Sequence, residues 1–98
     1  MNIQAMMRQA QKLQKEMMNT KEEIDKQIFE GESSFVKVEV YGNKQIKNVF
    51  INQENVDKDD IEMLQDIIVV ALNDAMKKID AETERKMGKY TQGMPGLF

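Results

Sequence analysis

Three cations near the start of the chain, Arg8, Lys12 and Lys15, are spaced i, i+4 and i+7, which stacks them on one face of a helix. A second set, Lys77, Lys78, Arg85, Lys86 and Lys89, makes a stripe through Lys78, Arg85 and Lys89 that Glu82 interrupts. Rows of fixed positive charge suit the phosphates of a nucleic-acid backbone. They equally suit a solvated helix surface, and spacing alone does not choose between the two. Negative charge gathers at Asp57, Asp59, Asp60 and Glu62. A calcium loop fits poorly there, because Ile61 stands where a third oxygen ligand is needed and Glu62 where the loop requires glycine. A helix cap in a solvated loop accounts for these acids better.

Most other chemistry is excluded by what the chain lacks. Its 98 residues contain no cysteine and no histidine, which removes thiol nucleophiles, disulfides, the common zinc ligands and the usual neutral-pH proton shuttle. No Gly-rich phosphate loop, no carboxylate pair in an apolar setting and no serine with a histidine base can be assembled. The expectation is a protein that is not an enzyme, with no metal, no cofactor and no small-molecule substrate. The longest apolar run, Ile67 to Leu72, is far too short to cross a membrane, and no signal-type stretch follows Arg8 and Lys12. A soluble, cytoplasmic, single-domain protein is expected.

The net charge of −3 argues against a nucleic-acid binder, but the distribution is uneven. Residues 1–15 carry three cations and no acid, whereas residues 30–74 hold ten acids against four lysines. Residues 75–98 return to a cationic excess. An acidic body with a basic segment near each end is the result.

The elements that would carry these charges follow from periodicity. Ile3, Met6, Ala10, Leu13, Met17, Thr20 and Ile24 keep a 3-4 spacing, the seam of a coiled coil, and predict a helix over 3–27. At 1.5 Å per residue it spans roughly 37 Å, more than a small core can cover, so part of it must project or pair. Val36, Val38 and Val40 alternate with Lys37 and Glu39 as in a half-buried strand. Gly42-Asn43 suits a type II′ turn into a second strand over 44–52, where a phase slip between Ile46 and Val49 predicts a bulge. Ile28 to Glu32 is expected to add a short third strand through Ser33-Ser34.

Asp59 with Glu62 resembles a capping box, so a long helix should begin near Asp60 and run to Lys89, with Gly88 to Gly93 stopping it and 90–98 forming a flexible tail. Its middle, Ile67 to Leu72, is apolar all round, more than one sheet face can cover. A second subunit packing on Ile61, Leu64, Ile67, Ile68, Val69, Val70 and Leu72 is therefore expected. Nine methionines are many for this length; Met6, Met7, Met17, Met18, Met63 and Met76 read as flexible core filler or, alternatively, as a cleft for another chain.

Four stretches in register resemble the YbaB/EbfC nucleoid-associated DNA-binding proteins of bacteria. They are Met6-Met7-Arg8-Gln9-Ala10-Gln11-Lys12-Leu13-Gln14, Val36-Lys37-Val38-Glu39-Val40-Tyr41-Gly42, Leu64-Gln65-Asp66-Ile67-Ile68-Val69-Val70-Ala71-Leu72-Asn73-Asp74-Ala75 and Gly93-Met94-Pro95-Gly96-Leu97. The resemblance implies a helix–sheet–helix fold, a homodimer with projecting arms like tweezers, and DNA binding without catalysis. By position, the family's basic first-helix segment falls on Arg8, Lys12 and Lys15, and its terminal helix on Lys77, Lys78, Arg85, Lys86 and Lys89. Ser34-Phe35 departs from the glycine that relatives often carry there. Asn73, at a family position inside the long helix, reads as a surface or interface hydrogen bond.

Together these readings predict an α+β chain: a long N-terminal helix, a small antiparallel sheet of two or three strands and a long C-terminal helix. It would pair as an intertwined or side-by-side homodimer whose arms bind duplex DNA in the nucleoid through phosphates. The alternatives are a prefoldin-like coiled-coil clamp for a protein client, or a scaffold holding a DNA-processing partner through Gly93–Phe98.

Overall fold

The computed structural model describes residues 2–91. The elements are α1 (Ile3–Lys26), β1 (Ile28–Ser33), β2 (Val36–Tyr41), β3 (Ile46–Ile51), a 3₁₀ turn at Gln53–Asn55 and α2 (Ile61–Thr91). This is the expected α+β arrangement, with the third strand present as β1. The remainder of the expected flexible tail, 92–98, lies outside the described residues.

Side-chain caps set the helix starts. Asn2 Oδ1 accepts from the Ala5 amide at 3.2 Å at the head of α1. Asp60 Oδ1 accepts from the Met63 amide at 3.1 Å at the head of α2. The cap thus sits one residue later than the Asp59–Glu62 pattern suggested, because Asp59 is held in a turn by its own amide donating to Asp57 Oδ1 at 2.9 Å. Gly88 does not stop α2, which continues through Tyr90 to Thr91. One interior glycine costs a helix only about 1 kcal/mol, and the neighbouring Met87 is buried, so packing carries the helix past it.

The sheet is antiparallel in the order β1-β2-β3. Val36, Val38 and Val40 turn one face toward α2, where Phe29, Ile67, Ala71, Ala75 and Ile79 complete the core. Gly31 allows that contact: a Cβ there would lie 2.1 Å from the Ala71 carbonyl oxygen and 2.6 Å from the Ala75 nitrogen. The predicted bulge is present, since pairing steps from Glu39↔Asn48 to Val40↔Ile46 and leaves Lys47 extra.

The turn chemistry is the reverse of that expected. Between β2 and β3, positive φ falls on Lys44 (72°) and not on Gly42, with Lys44 N donating to Tyr41 O at 2.8 Å. That is a three-residue loop closed by a left-handed residue, not type II′. Gly42 serves a close approach instead, because a Cβ there would fall 1.7 Å from the Ile24 carbonyl oxygen. The two-residue loop Ser34-Phe35 between β1 and β2 carries positive φ on its first residue, Ser34 (51°), where glycine would be easier.

The two helices pack antiparallel at one end only. Gln27 Nε2 reaches Glu82 Oε2 at 3.5 Å, Ile24 and Met87 are buried, and Met17 and Thr20 are half-buried. From that level α1 continues outward: residues 2–16 are all exposed, Ile3 by 68%. The 72 Å length of the molecule matches the stretch of α2 before Glu82 laid end to end with α1, about 68 Å at 1.5 Å per residue. Met6, Met7, Met18 and Met63 are therefore exposed and not core filler; Met87, unremarked in the sequence, is the deeply buried methionine among the described residues.

Candidate nucleic-acid interface

Arg8, Lys12 and Lys15 all lie on the exposed outer part of α1, opposite its apolar seam. Among the described residues none of the three has an ion-pair partner. The ion pairs of α1 begin further in, with Lys21 and Asp25. The arm thus presents a row of cations about 10 Å long, from Arg8 to Lys15, with water on every side.

The second row is differently placed. Lys78 Nζ donates to the Glu30 carbonyl oxygen at 2.8 Å and stands 3.4 Å from Asp74 Oδ2. Asp74 Oδ2 in turn accepts from the Glu32 amide at 3.0 Å. The pair satisfies two backbone groups of β1, the outer strand on that side, and blocks it against further strand pairing. The Glu32 amide bond, reinforced by Lys78 and Lys77, holds the Asp74 carboxyl below its ordinary value. Sequence reading assigned Lys78 to phosphate and did not foresee this lock, although the i, i+4 spacing of Asp74 and Lys78 signals it.

Further along α2, Glu82 draws in its neighbours. Arg85 Nη2 lies 2.6 Å and Lys86 Nζ 3.7 Å from its carboxylate. The Arg85 hydrogen bond, with Lys86 and Gln27 beside it, depresses the Glu82 pKa. Lys89 Nζ sits 4.9 Å from the ring centre of Tyr90, and Lys77 is exposed. Counted at 1.5 Å per residue from the Gln27–Glu82 contact, Arg85 and Lys89 come level with the inner turns of α1, so the two rows follow one another along the arm.

The residues expected to meet a second subunit divide into three groups. Ile67 is 9% exposed and packs on its own sheet. Leu64, Ile68 and Leu72 are half-buried on a flank of α2 with Met76. Ile61, Val69 and Val70 are exposed, the valines by 54% each. Asn73 is exposed as well. Sequence reading overlooked the other half of this surface. Ile46, Val49 and Ile51 of β3 lie opposite Val40, Val38 and Val36, hence on the α2 side of the sheet, yet no Cα of α2 comes within 8 Å of one in β3 and all three are exposed. A floor of β3 and a wall of α2 thus form an apolar step.

Among the described residues no group of acids could hold a metal ion, and no helix is long and apolar enough to cross a membrane. A sequence profile of the YbaB/EbfC DNA-binding family matches residues 1–94. A nucleoid-associated protein of Ligilactobacillus salivarius is 44% identical over 99% of this chain and 95% of its own. Those of Lactococcus lactis subsp. cremoris MG1363 and Pediococcus pentosaceus are 46% and 47% identical, over 97% and 98% of this chain and 98% and 94% of theirs. The crystal structure of an uncharacterised Helicobacter pylori protein shares the fold, with a TM-score of 0.71 at 21% identity over 94% of this chain and 97% of that one. On matches of this extent the chain belongs to the YbaB/EbfC DNA-binding family.

Proposed function

We propose that the protein is a nucleoid-associated DNA-binding protein of the cytoplasm, a homodimer whose arms hold duplex DNA through its phosphates and so organise it or modulate access to it. The observation that carries this reading is the row Arg8, Lys12 and Lys15, exposed, unpaired among the described residues and clear of the acidic body. Phosphate contacts are insensitive to base sequence and release counterions, so binding is weakly selective and falls steeply with salt. Lys77, Arg85, Lys86 and Lys89 add a weaker second set, and Lys78 contributes least because β1 already engages it.

Two copies are needed for arms to straddle a duplex. The apolar step of Ile46, Val49 and Ile51 against Leu64, Ile68, Leu72 and Met76 supports pairing through β3 and α2, with Ile61, Val69 and Val70 beside it. A lone soluble chain gains nothing from leaving so much contiguous apolar surface wet.

Anisotropy of a labelled random-sequence duplex, titrated at several salt concentrations alongside the mass of the protein in solution, tests the whole reading. Dimeric protein with salt-sensitive affinity supports it, and no binding at low salt overturns it. The exposed Ile3, Met6, Met7, Leu13 and Met18 of the arm favour a second reading, a clamp for an unfolded protein client. Suppressed light scattering from an aggregating client, without DNA binding, would select that one.

A further inference from the structure

The seam of α1 is half used. Its inner positions Met17, Thr20 and Ile24 pack toward α2, whereas Ile3, Met6, Ala10 and Leu13 continue the same line as exposed residues. Among the described residues nothing covers that outer stretch, since the described part of α2 ends level with Met18, about 13 Å beyond the Gln27–Glu82 contact. Apolar residues at 3-4 spacing on one helix face are the surface onto which a second helix packs.

The outer stripe is complementary to a reversed copy of itself. Two arms laid antiparallel and centred on Arg8 set Ile3 of each against Leu13 of the other, and Met6 of each against Ala10 of the other, large against small. A parallel pairing would set Ala10 on Ala10 and leave a gap there. The charges agree with the antiparallel arrangement. Asn2, Met7, Gln9 and Gln14 flank the outer stripe and are all uncharged; Gln9 meets its own copy on one flank and Met7 on the other. Arg8 and Lys15 point directly away from the stripe and Lys12 lies about 130° round from it, so no cation is driven against its counterpart. Further in, where α2 and not a second copy lies on α1, the same flanking positions turn charged, with Lys21 and Glu23.

We infer that the outer seam of α1 docks antiparallel onto the same seam of a second copy of this chain, joining molecules arm to arm. The contact prolongs, along one helix, the interface that α1 already makes with α2. Its few apolar layers are too small for a permanent interface, so association is weak and reversible. A free helical stretch of about fourteen residues is marginal in water, and pairing steadies both arms at once. The cation rows face outward from the pair, so on the DNA reading above the contact links two DNA-holding units without covering either row. The inference uses neither DNA nor the surface of β3 and α2, and it stands or falls separately from both.

The chain has no cysteine, so single cysteines report proximity without background. Full-length Met6→Cys and Ala10→Cys chains, one of them tagged, are mixed in equal amounts without DNA under mild oxidation. The mixed disulfide is expected at about tenfold excess over either like-with-like product. A mixed product no more abundant than random pairing gives overturns the inference, and a like-with-like excess overturns it in favour of parallel arms. The mass in solution gives an independent reading. The parent is expected to rise above its dilute mass, whether that is one chain or two, as concentration climbs to roughly hundreds of micromolar. Leu13→Glu, at an exposed position outside the core, is expected to need at least about tenfold more protein for the same rise. A parent mass that does not rise, or a variant that rises equally, overturns the inference.

Discussion

Along α2 the positive side chains mostly have partners: Lys78 is tied to β1 and Asp74, and Arg85 and Lys86 to Glu82. Along the outer part of α1, Arg8, Lys12 and Lys15 have none among the described residues. The helices differ in anchorage too. α2 lies on the sheet from Ile67 to Ile79 and then against α1, whereas α1 is held only over its inner turns. Similar spacings of cations thus serve different ends. On α2 Lys78 fastens the helix to β1 while Arg85 and Lys86 are occupied by Glu82 of the same helix, and on α1 the three cations are left unpaired among the described residues. A cation's use is set by what stands three or four residues away and what packs beneath it, not by the row it belongs to.

The contrast in anchorage is broken most forcefully at Gly31. Alanine there would push its methyl into the backbone of Ala71 and Ala75, and the helix cannot yield locally without leaving the sheet. Gly31→Ala is expected to cost about 3 kcal/mol in urea unfolding, against under about 0.5 kcal/mol for Gln9→Ala on the arm. Equal small losses would mean that α2 is not seated on β1 as described.

The contrast in charge is broken by Arg8→Ala, Lys12→Ala and Lys15→Ala together. Affinity for random duplex is expected to fall at least about tenfold, uniformly across sequences, and the slope of log affinity against log salt to flatten by about three per engaged arm. Thermal stability and the mass of the protein in solution should not move, because none of the three touches the core. Unchanged affinity would return the DNA site to α2 or remove it.

Much of this was readable in advance, and the failures share a cause. Both helices, the period-two valines of β2 and the bulge near Lys47 follow from local pattern, which is what periodicity reports. The positive φ at Ser34 and Lys44 and the close approaches at Gly31 and Gly42 depend on which elements meet, and that is settled by tertiary packing. The cation rows were visible as rows. That Lys78 reaches a strand edge was not, since Glu30 lies 48 residues away in sequence. Ile46, Val49 and Ile51 read as ordinary strand residues, and only the placement of α2 over β1 and β2 shows that they are left bare.

A milder change sharpens the charge comparison from the other side. Glu82→Gln removes the charge that holds Arg85 and Lys86, freeing two cations on α2, while the amide oxygen can still accept from Gln27 and the cations of α1 are not altered. If partnering is what silences that row, DNA affinity rises, by severalfold, and the salt slope steepens by about one to two. A fall in affinity would show that Glu82 positions these side chains for DNA, and the distinction drawn between the rows would fail.

The smallest effect tests the lock that occupies Lys78. The amide of Glu32 and the ammonium of Lys78 hold the Asp74 carboxyl below its ordinary value of 3.8, so folding favours the ionised form. Its contribution is complete above that value and is lost as pH falls through the depressed one. Asp74→Asn keeps an oxygen for the Glu32 amide but gives up the charge that attracts Lys78. The urea midpoint of the variant is therefore expected to lie slightly below that of the parent at pH 7, with the gap closing below about pH 4 as the parent's carboxylate is protonated. A gap that persists undiminished in acid would show that the lost interaction is steric or hydrogen-bonding and not the charge pair. Lys78 would then be freer for phosphate than its place on the β1 edge implies, and the two cation rows would be more alike.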